Sequence, residues 1–339
     1  MHRQRAGLAL VLAITLLPTI WLRSSPAPYN REQVLVARPL SADFKPPGPF
    51  TVAGVWHLTS PHGAFGSYSA LVPMGEKRLL AIGDRATMLV FSPPGSTQQA
   101  RRLGTFLKRS SGTAEERDYE AVAIDPHSGR VWVAVEGANR ILRVDLESGE
   151  QARRTIPEMA DWRGNTGPEA MVRLGDGRFI ALCECRTGWL DRDGHPGLLF
   201  DRDPTLPAAR ATRFTFKGSP GFRPTDMALL PDGRALVLMR RITWPMPPRF
   251  KASLVLVDPA QIANQGVLHG IELAELEAPL PVDNFEGLAV VPGNAGRLVA
   301  WLISDDNRAV TQSTLLLKLE FALRDLPAKQ KAPGLPGRP

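Results

Sequence analysis

The sequence predicts an all-β fold made of repeated sheet units, and three observations carry that reading. First, the stretch from Asp118 to Glu150 holds three short apolar runs, Ala121–Ile124, Val131–Val135 and Ile141–Leu146. Turn residues at Pro126–Gly129 and Gly137–Asn139 separate them, with Pro and Gly supplying the bends. Second, the pattern recurs: an acid, small or apolar residues, a turn with Arg, an apolar strand, a polar end. Aligned on Ser69, Glu120, Glu169, Asp226 and Glu286, its steps are 51, 49, 57 and 60 residues. Third, 30 Gly and 31 Pro without a collagen-like period fit many turns between short strands, and long helical periodicity is scarce. A meander of three strands cannot bury both faces alone, so it needs its copies. Repeats of this length with several strands each are propeller blades. The expected architecture is a β-propeller of five four-stranded blades, with six as the alternative count.

Taken in order, residues 1–28 read as a signal peptide or N-terminal anchor. His2, Arg3, Gln4 and Arg5 make a basic start, and Leu8–Leu22 is an apolar run broken by Pro18. The run is shorter than the span of about 20 residues that crosses a bilayer. Arg3, Arg5 and the lack of a second apolar span place the rest of the chain outside the cytoplasm, periplasmic or secreted, or held at the inner membrane by an uncleaved segment. Residues 29–49 read as a linker, and 50–326 as the propeller. Thr51–Thr59 alternates like a strand but has no hairpin partner before Ser67. Blade one is expected at Tyr68–Met74, Arg78–Gly83, Thr87–Phe91 and Arg101–Leu107. Blade two takes the stretch above plus Gln151–Ile156. Blade three takes Glu169–Leu174, Arg178–Glu184, Gly197–Asp201 and Ala211–Phe216. Blade four takes Asp226–Leu230, Ala235–Arg240, Ser253–Asp258 and a segment within Val267–Leu276. Blade five takes Glu286–Val291, Arg297–Ile303 and Ser313–Phe321, and then lacks a fourth strand. Thr51–Thr59 is expected to supply it as the outer strand, closing the ring and covering a sheet edge. Residues 327–339, rich in Pro, Lys and Gly, read as a disordered tail.

The net charge of +7 comes from scattered residues, and no block of five or more Lys/Arg occurs. Together with the absence of a nucleic-acid motif, this argues against a nucleic-acid partner. A monomer is expected. The two cysteines, Cys183 and Cys185, flank Glu184 at the end of a strand. Strand geometry argues against a bond between them, and no further ligands offer a zinc site. They read as buried small residues.

The first strand of each propeller blade lines the channel. Glu120, Glu169, Asp226 and Glu286 are therefore expected at one mouth, with Ser69 in the same place on blade one. A second polar set ends the next strands: Asp84-Arg85, Glu136, Glu184, Arg240-Arg241 and Asp305-Asp306-Asn307. Facing carboxylates repel unless a cation or an arginine sits among them, and oxygen-only donors favour calcium. The competing reading is that each acid fixes a backbone turn within its own blade, and the sequence leaves both open. There is no Gly-x-Ser-x-Gly and no His-Glu-x-x-His, and the six histidines do not pair at metal spacing.

Gly66-Ser67-Tyr68-Ser69-Ala70-Leu71, Asp84-Arg85, Tyr119-Glu120-Ala121, Gly167-Pro168-Glu169-Ala170, Arg223-Pro224-Thr225-Asp226-Met227 and Asn284-Phe285-Glu286-Gly287-Leu288-Ala289 together resemble the phytase-like family. Ser304-Asp305-Asp306-Asn307 followed by Gln312-Ser313-Thr314-Leu315-Leu316 resembles its closing motif. The chain departs in having Ser69-Ala70 where Ser-Gly is more usual, and Asp226 for Glu. The resemblance implies an exported β-propeller that hydrolyses a small-molecule phosphoester or other ester with calcium. On that reading Glu120, Glu169, Asp226, Glu286, Asp305 and Asp306 hold metal, and Arg85, Arg240, Arg241 and Ser69 contact substrate. A non-catalytic propeller that binds a ligand or protein, with structural calcium, is the alternative.

Overall fold

The computed structural model describes residues 30–41, 44, 48–75, 77–97, 101–107, 118–162, 166–188, 193–243 and 249–329. The leader, residues 1–28, and residues 330–339 of the tail lie outside them. Among the described residues no helix is long and apolar enough to cross a membrane. Two strands precede the first blade, β1 (Val36–Pro39) and β2 (Thr51–Thr59). Blade one is β3 (Tyr68–Met74), β4 (Arg78–Gly83), β5 (Thr87–Phe91) and β6 (Arg101–Thr105). Blade two is β7 (Tyr119–Asp125), β8 (Arg130–Val135), β9 (Arg140–Asp145) and β10 (Gln151–Thr155). Blade three is β11 (Pro168–Arg173), β12 (Phe179–Cys183), β13 (Gly194–Phe200) and β14 (Ala211–Lys217). Blade four begins with β15 (Arg223–Leu229), β16 (Ala235–Thr243) and β17 (Arg249–Val257). A short helix, α1 (Ala260–Gln265), and β18 (Val267–His269) then intervene before its fourth strand, β19 (Ile271–Leu276). Blade five takes β20 (Asn284–Pro292), β21 (Leu298–Asp305) and β22 (Leu315–Phe321).

Five antiparallel sheets result, and their first strands β3, β7, β11, β15 and β20 pack side by side around one axis. In the fifth sheet β2 runs antiparallel to β22, from Thr51 opposite Glu320 to His57 opposite Leu315. Its two faces enter different cores. Val55 joins Leu236, Leu254, Leu302 and Leu317, between blades four and five. Leu58 and Trp56 join Leu79, Leu89, Phe91 and Trp301, between blades five and one. Burying Leu58 alone is worth about 1.5–3 kcal/mol, so the strand ties both neighbours together.

Four details differ from the sequence reading. Residues 29–49 are not merely a linker, because β1 pairs outside β2, from Val36 opposite Thr59 to Pro39 opposite Trp56. Thr51–Thr59 is thus fourth of five strands and not the outermost. β18 leaves blade four and adds to blade three, parallel to β14. The first residues of the tail are held on blade four: Arg234 Nη1 donates to the Pro327 carbonyl, and Lys329 Nζ donates to the Asp232 carbonyl at 2.8 Å.

The fourth difference is a disulfide between Cys183 and Cys185. Residues i and i+2 of a strand stand about 6.6–6.8 Å apart. β12 ends at Cys183, however, and the chain bends at Glu184, bringing the two Cα atoms to 5.1 Å, inside the disulfide range. The expectation failed because it carried strand geometry one residue too far.

Candidate active site at the acidic mouth of the channel

Each first strand breaks register with its partner at the same step. The breaks fall between Tyr68 and Ala70, Tyr119 and Ala121, Pro168 and Ala170, Pro224 and Asp226, and Phe285 and Gly287. A bulge leaves one residue unpaired and re-aims its side chain. The five bulged residues are Ser69, Glu120, Glu169, Thr225 and Glu286. The residue after the bulge is small on four of the five blades, and on blade five it packs against blade one. At Gly287 a Cβ would stand 2.6 Å from Ile303 Cγ2 and 2.8 Å from Leu71 Cβ. Ala70, Ala121 and Ala170 fill that place on blades one to three.

Asp226 occupies that second place on blade four, which corrects its expected role. It is not a member of the ring of acids. Its carboxylate accepts the backbone N–H of Met227 at 2.8 Å, of Leu288 at 2.7 Å and of Leu71 at 3.3 Å. One side chain therefore fastens the first strands of blades four, five and one. Burial pushes its carboxyl well up, and the three N–H groups oppose that. The competing reading, in which an acid fixes backbone, is right for Asp226, although the fastening runs between blades.

A second ring stands on the second strands or one residue past them, at Asp84, Glu136, Glu184, Arg240 and Asp305, one residue beyond the pairs made by Gly83, Val135, Cys183, Met239 and Ser304. A third position, just before each bulged pair, holds Ser67, Asp118, Gly167, Arg223 and Asn284. Blade two thus brings three acids, Asp118, Glu120 and Glu136. Blade four brings Arg223, Thr225 and Arg240.

Arg240 is the positive centre of the mouth. Its Nη2 lies 3.1 Å from Glu184 Oε1 and 3.4 Å from Glu286 Oε1, and its Nη1 donates to Asn284 Oδ1 at 3.0 Å. Asn284 Nδ2 in turn donates to Glu286 Oε1 at 2.7 Å. Among the described residues Arg223 pairs with Glu184 alone, at 3.5 Å, and its side chain stays 41% exposed. Opposite, Glu136 Oε1 accepts the Gly167 N–H at 2.7 Å. Gly167 has to lack a side chain there, since a Cβ would come within 2.7 Å of Glu136 Cγ. Glu169 is 7% exposed, and among the described residues it has neither a hydrogen bond nor an ion pair.

The acids raise one another's proton affinity. Burial, then Glu169 and Glu286, push Glu120 well above the carboxylate range. Burial, then Glu184 and Glu286, do the same to Glu169. Burial and Glu286 push up Asp305. Glu286 is raised by burial, with Arg240 pulling the other way. Burial takes Glu136 to about 7 and Asp84 to about 6. The donor set suits a hard cation: all oxygen, with one carboxylate oxygen each from Asp118, Glu120 and Glu136 within 4.8 Å of one another. Ligands 2.3–2.6 Å from a common calcium stand at such separations.

Other expected site residues lie elsewhere. Arg241 turns from the channel, stacking over Phe222 at 4.4 Å and reaching Glu275 Oε1 at 3.4 Å. Arg85 is half-exposed beside Asp84 at 3.9 Å. Asp306 clips blade five to blade one, its Oδ1 accepting the Ser67 N–H at 3.2 Å and its Oδ2 the Thr314 hydroxyl at 3.0 Å. Asp118, Arg223, Asn284 and Thr225 were not singled out from sequence. The signal was present: pairing Pro168-Glu169-Ala170-Met171 with Pro224-Thr225-Asp226-Met227 residue by residue sets Thr225 against Glu169 and Asp226 against Ala170.

The model of the phytase-like family, described as "esterase-like activity of phytase", matches residues 63–308. The chain belongs to the phytase-like family. The matched span holds every position of the three rings and excludes β1, β2 and β22. No curated protein matches the sequence. Among solved structures, the phytase-like chain is similar to a PQQ-bound aldose sugar dehydrogenase from Streptomyces coelicolor, with 13% identity, 86% of this chain and 99% of that one covered, and a TM-score of 0.45. It is similar to a gluconolactonase from Xanthomonas campestris, with 14% identity, 88% and 99% covered, and a TM-score of 0.42. Hydrazine synthase from Kuenenia stuttgartiensis is 12% identical, with a TM-score of 0.37; the match covers 71% of this chain and spans 57% of that one.

Proposed function

We propose that the acidic mouth is the site of a calcium-assisted hydrolase acting on a small-molecule phosphoester or other ester. The observation that carries the reading is the meeting of eight carboxylates, Asp84, Asp118, Glu120, Glu136, Glu169, Glu184, Glu286 and Asp305, around one partly buried arginine, Arg240. Asp118, Glu120 and Glu136 would hold the ion, with Glu169 beside them. Bound calcium would neutralise that half and polarise an ester oxygen. Arg223, exposed and singly paired, is placed to receive an anionic oxygen of the substrate. Arg240 holds Glu184 and Glu286 in position. Ser69, on blade one's bulge, adds a hydroxyl to the ring. Asp226 drops out as a ligand.

One observation favours the non-catalytic alternative, a propeller that binds a ligand or protein over structural calcium: Arg240 is already engaged by Glu184, Glu286 and Asn284, leaving Arg223 alone for substrate. The export-type leader supports a periplasmic or secreted protein, with membrane attachment only through that segment if it is not cleaved. The reading expects a monomer with no nucleic-acid partner. The deciding experiment is a hydrolysis screen of phosphate and carboxylate esters with the purified protein, with and without calcium. Calcium-dependent turnover supports the hydrolase; calcium binding without turnover on any ester class favours the alternative.

A further inference from the structure

The Cys183–Cys185 disulfide encloses a single residue, Glu184, and Glu184 is the member of the ring that Arg223 and Arg240 of blade four both touch. Its position is fixed from every side. Its N–H donates to the Gly167 carbonyl at 3.1 Å. Its carboxylate meets Arg240 at 3.1 Å and Arg223 at 3.5 Å. On its far side the Cys185 carbonyl faces His195 Nδ1 at 2.8 Å, and His195 Nε2 faces the carbonyl of Phe222, the residue before Arg223, at 3.2 Å. Cys183 is fully buried, while Cys185 is partly exposed.

We propose that this disulfide is a redox modification site whose cleavage repositions Glu184 and so resets the charge balance of the mouth. The reductant is a dithiol: one of its sulfurs attacks at the partly exposed Cys185, the second closes the dithiol to its own disulfide, and Cys183 and Cys185 leave as two protonated thiols. Without the bond, only the Gly167 carbonyl, the two arginines and the His195 contact hold the bend, and the Cα spacing of 5.1 Å relaxes toward the longer spacing of a strand. Glu184 then leaves Arg240 and Arg223. Arg240 retains Glu286 and turns its freed charge on Glu169, the next acid in the same ring. The cation-binding half loses negative potential, and blade four loses the tether of its exposed arginine. The oxidised protein is the cation-binding form and the reduced protein the weakened one, which suits a chain that matures in an oxidising compartment. The functional half of this inference rests on the calcium reading above; the structural half does not.

Two measurements on the full-length protein test it. The first is a double-mutant cycle read by melting temperature, comparing E184Q in the disulfide-bonded protein with E184Q in a C183S/C185S background. The shift from E184Q should be at least about twice as large with the disulfide as without it, as coupled neighbours are not additive; equal shifts overturn the inference. If C183S/C185S does not fold, wild type and E184Q are compared in dithiothreitol, with thiols counted. The second is calorimetric titration with calcium before and after reduction. A dissociation constant about tenfold weaker in the reduced protein, the equivalent of about 1.4 kcal/mol, is the expected result, and equal constants overturn the regulatory role. No calcium heat from either form sinks the calcium reading and, with it, the functional half; the cycle then decides whether the clasp exists.

Discussion

Blades two and four present the same three positions to the same mouth and fill them with opposite charge. Blade two offers Asp118, Glu120 and Glu136; blade four offers Arg223, Thr225 and Arg240. The backbones match, down to the bulge. What differs is what each half needs from outside. Blade four's charge is answered within the protein by Glu184, Glu286 and Asn284. Blade two's is answered only by the Gly167 N–H at Glu136: Glu120 and its neighbour Glu169 on blade three have no side-chain hydrogen bond among the described residues, and burial and mutual repulsion raise their proton affinity. A repeated scaffold can thus answer one blade's charge within the protein and leave another's largely unanswered, with only side chains changed.

The largest effect should come from removing the internal answer. Arg240→Ala leaves Glu184 and Glu286 buried without their cation, and breaking such a pair costs about 3–5 kcal/mol. Urea denaturation in calcium-free buffer reads it. A loss under about 1 kcal/mol would mean that the acids around Arg240 are already neutral.

The same operation on blade two should have the opposite sign. Glu120→Gln with Glu136→Gln relieves repulsion, so the calcium-free protein gains about 1–2 kcal/mol, at roughly 1.36 kcal/mol for each pKa unit recovered. It should also abolish the rise in melting temperature that calcium gives by binding the native state. A calcium rise that survives both changes would move the ion elsewhere in the mouth.

Acidity probes the contrast without mutation. Glu136 and Asp84 have folded values of about 7 and about 6, above their ordinary 4.5 and 3.8. A carboxyl raised on folding binds its proton more tightly in the folded state. Its contribution is full below the unfolded value and is lost as pH rises through the folded one. Calcium-free protein should therefore melt lower as pH goes from about 4 to about 7, and calcium should flatten that fall at its upper end. A melting temperature that rises across the window would break the comparison.

The smallest effect is expected at Asp226. Asp226→Asn keeps one acceptor oxygen, enough for the Leu288 and Leu71 N–H groups that now share Oδ2, and turns its NH2 toward the Met227 N–H, so it should cost about 1 kcal/mol or a little more. It should leave the calcium-induced rise unchanged, where a ligand's loss would remove it.

Most of the architecture was legible in the sequence because period-2 runs and turn residues are local signals. The pairing of Thr51–Thr59 with the last blade was legible for another reason, a strand without a partner matched to a sheet without its fourth strand. Beyond the added strands β1 and β18 and the docked start of the tail, the failures at the site and the cysteines are slips of one residue. Asp226 was read for Thr225 because both are polar and a bulge shifts the face by one position. The cysteines were read as strand residues where the strand had already ended. Arg223 and Asp118 escaped because they precede the apolar run that marks the strand, and only the folded ring shows that this place also faces the mouth.

The knot of hydrogen bonds at Asp226 has a consequence for access. Asp226 is 1% exposed, Ala70 1%, and Ala121 and Ala170 0%, so at this level the axis is filled by side chains and blocked. Whatever enters among the acids has to back out the way it came, since the far opening, rimmed by Leu71, Val122, Met171, Met227 and Leu288, lies beyond the block. A molecule seated among the acids therefore stands in the path of the next one, and occupancy of the mouth is one at a time.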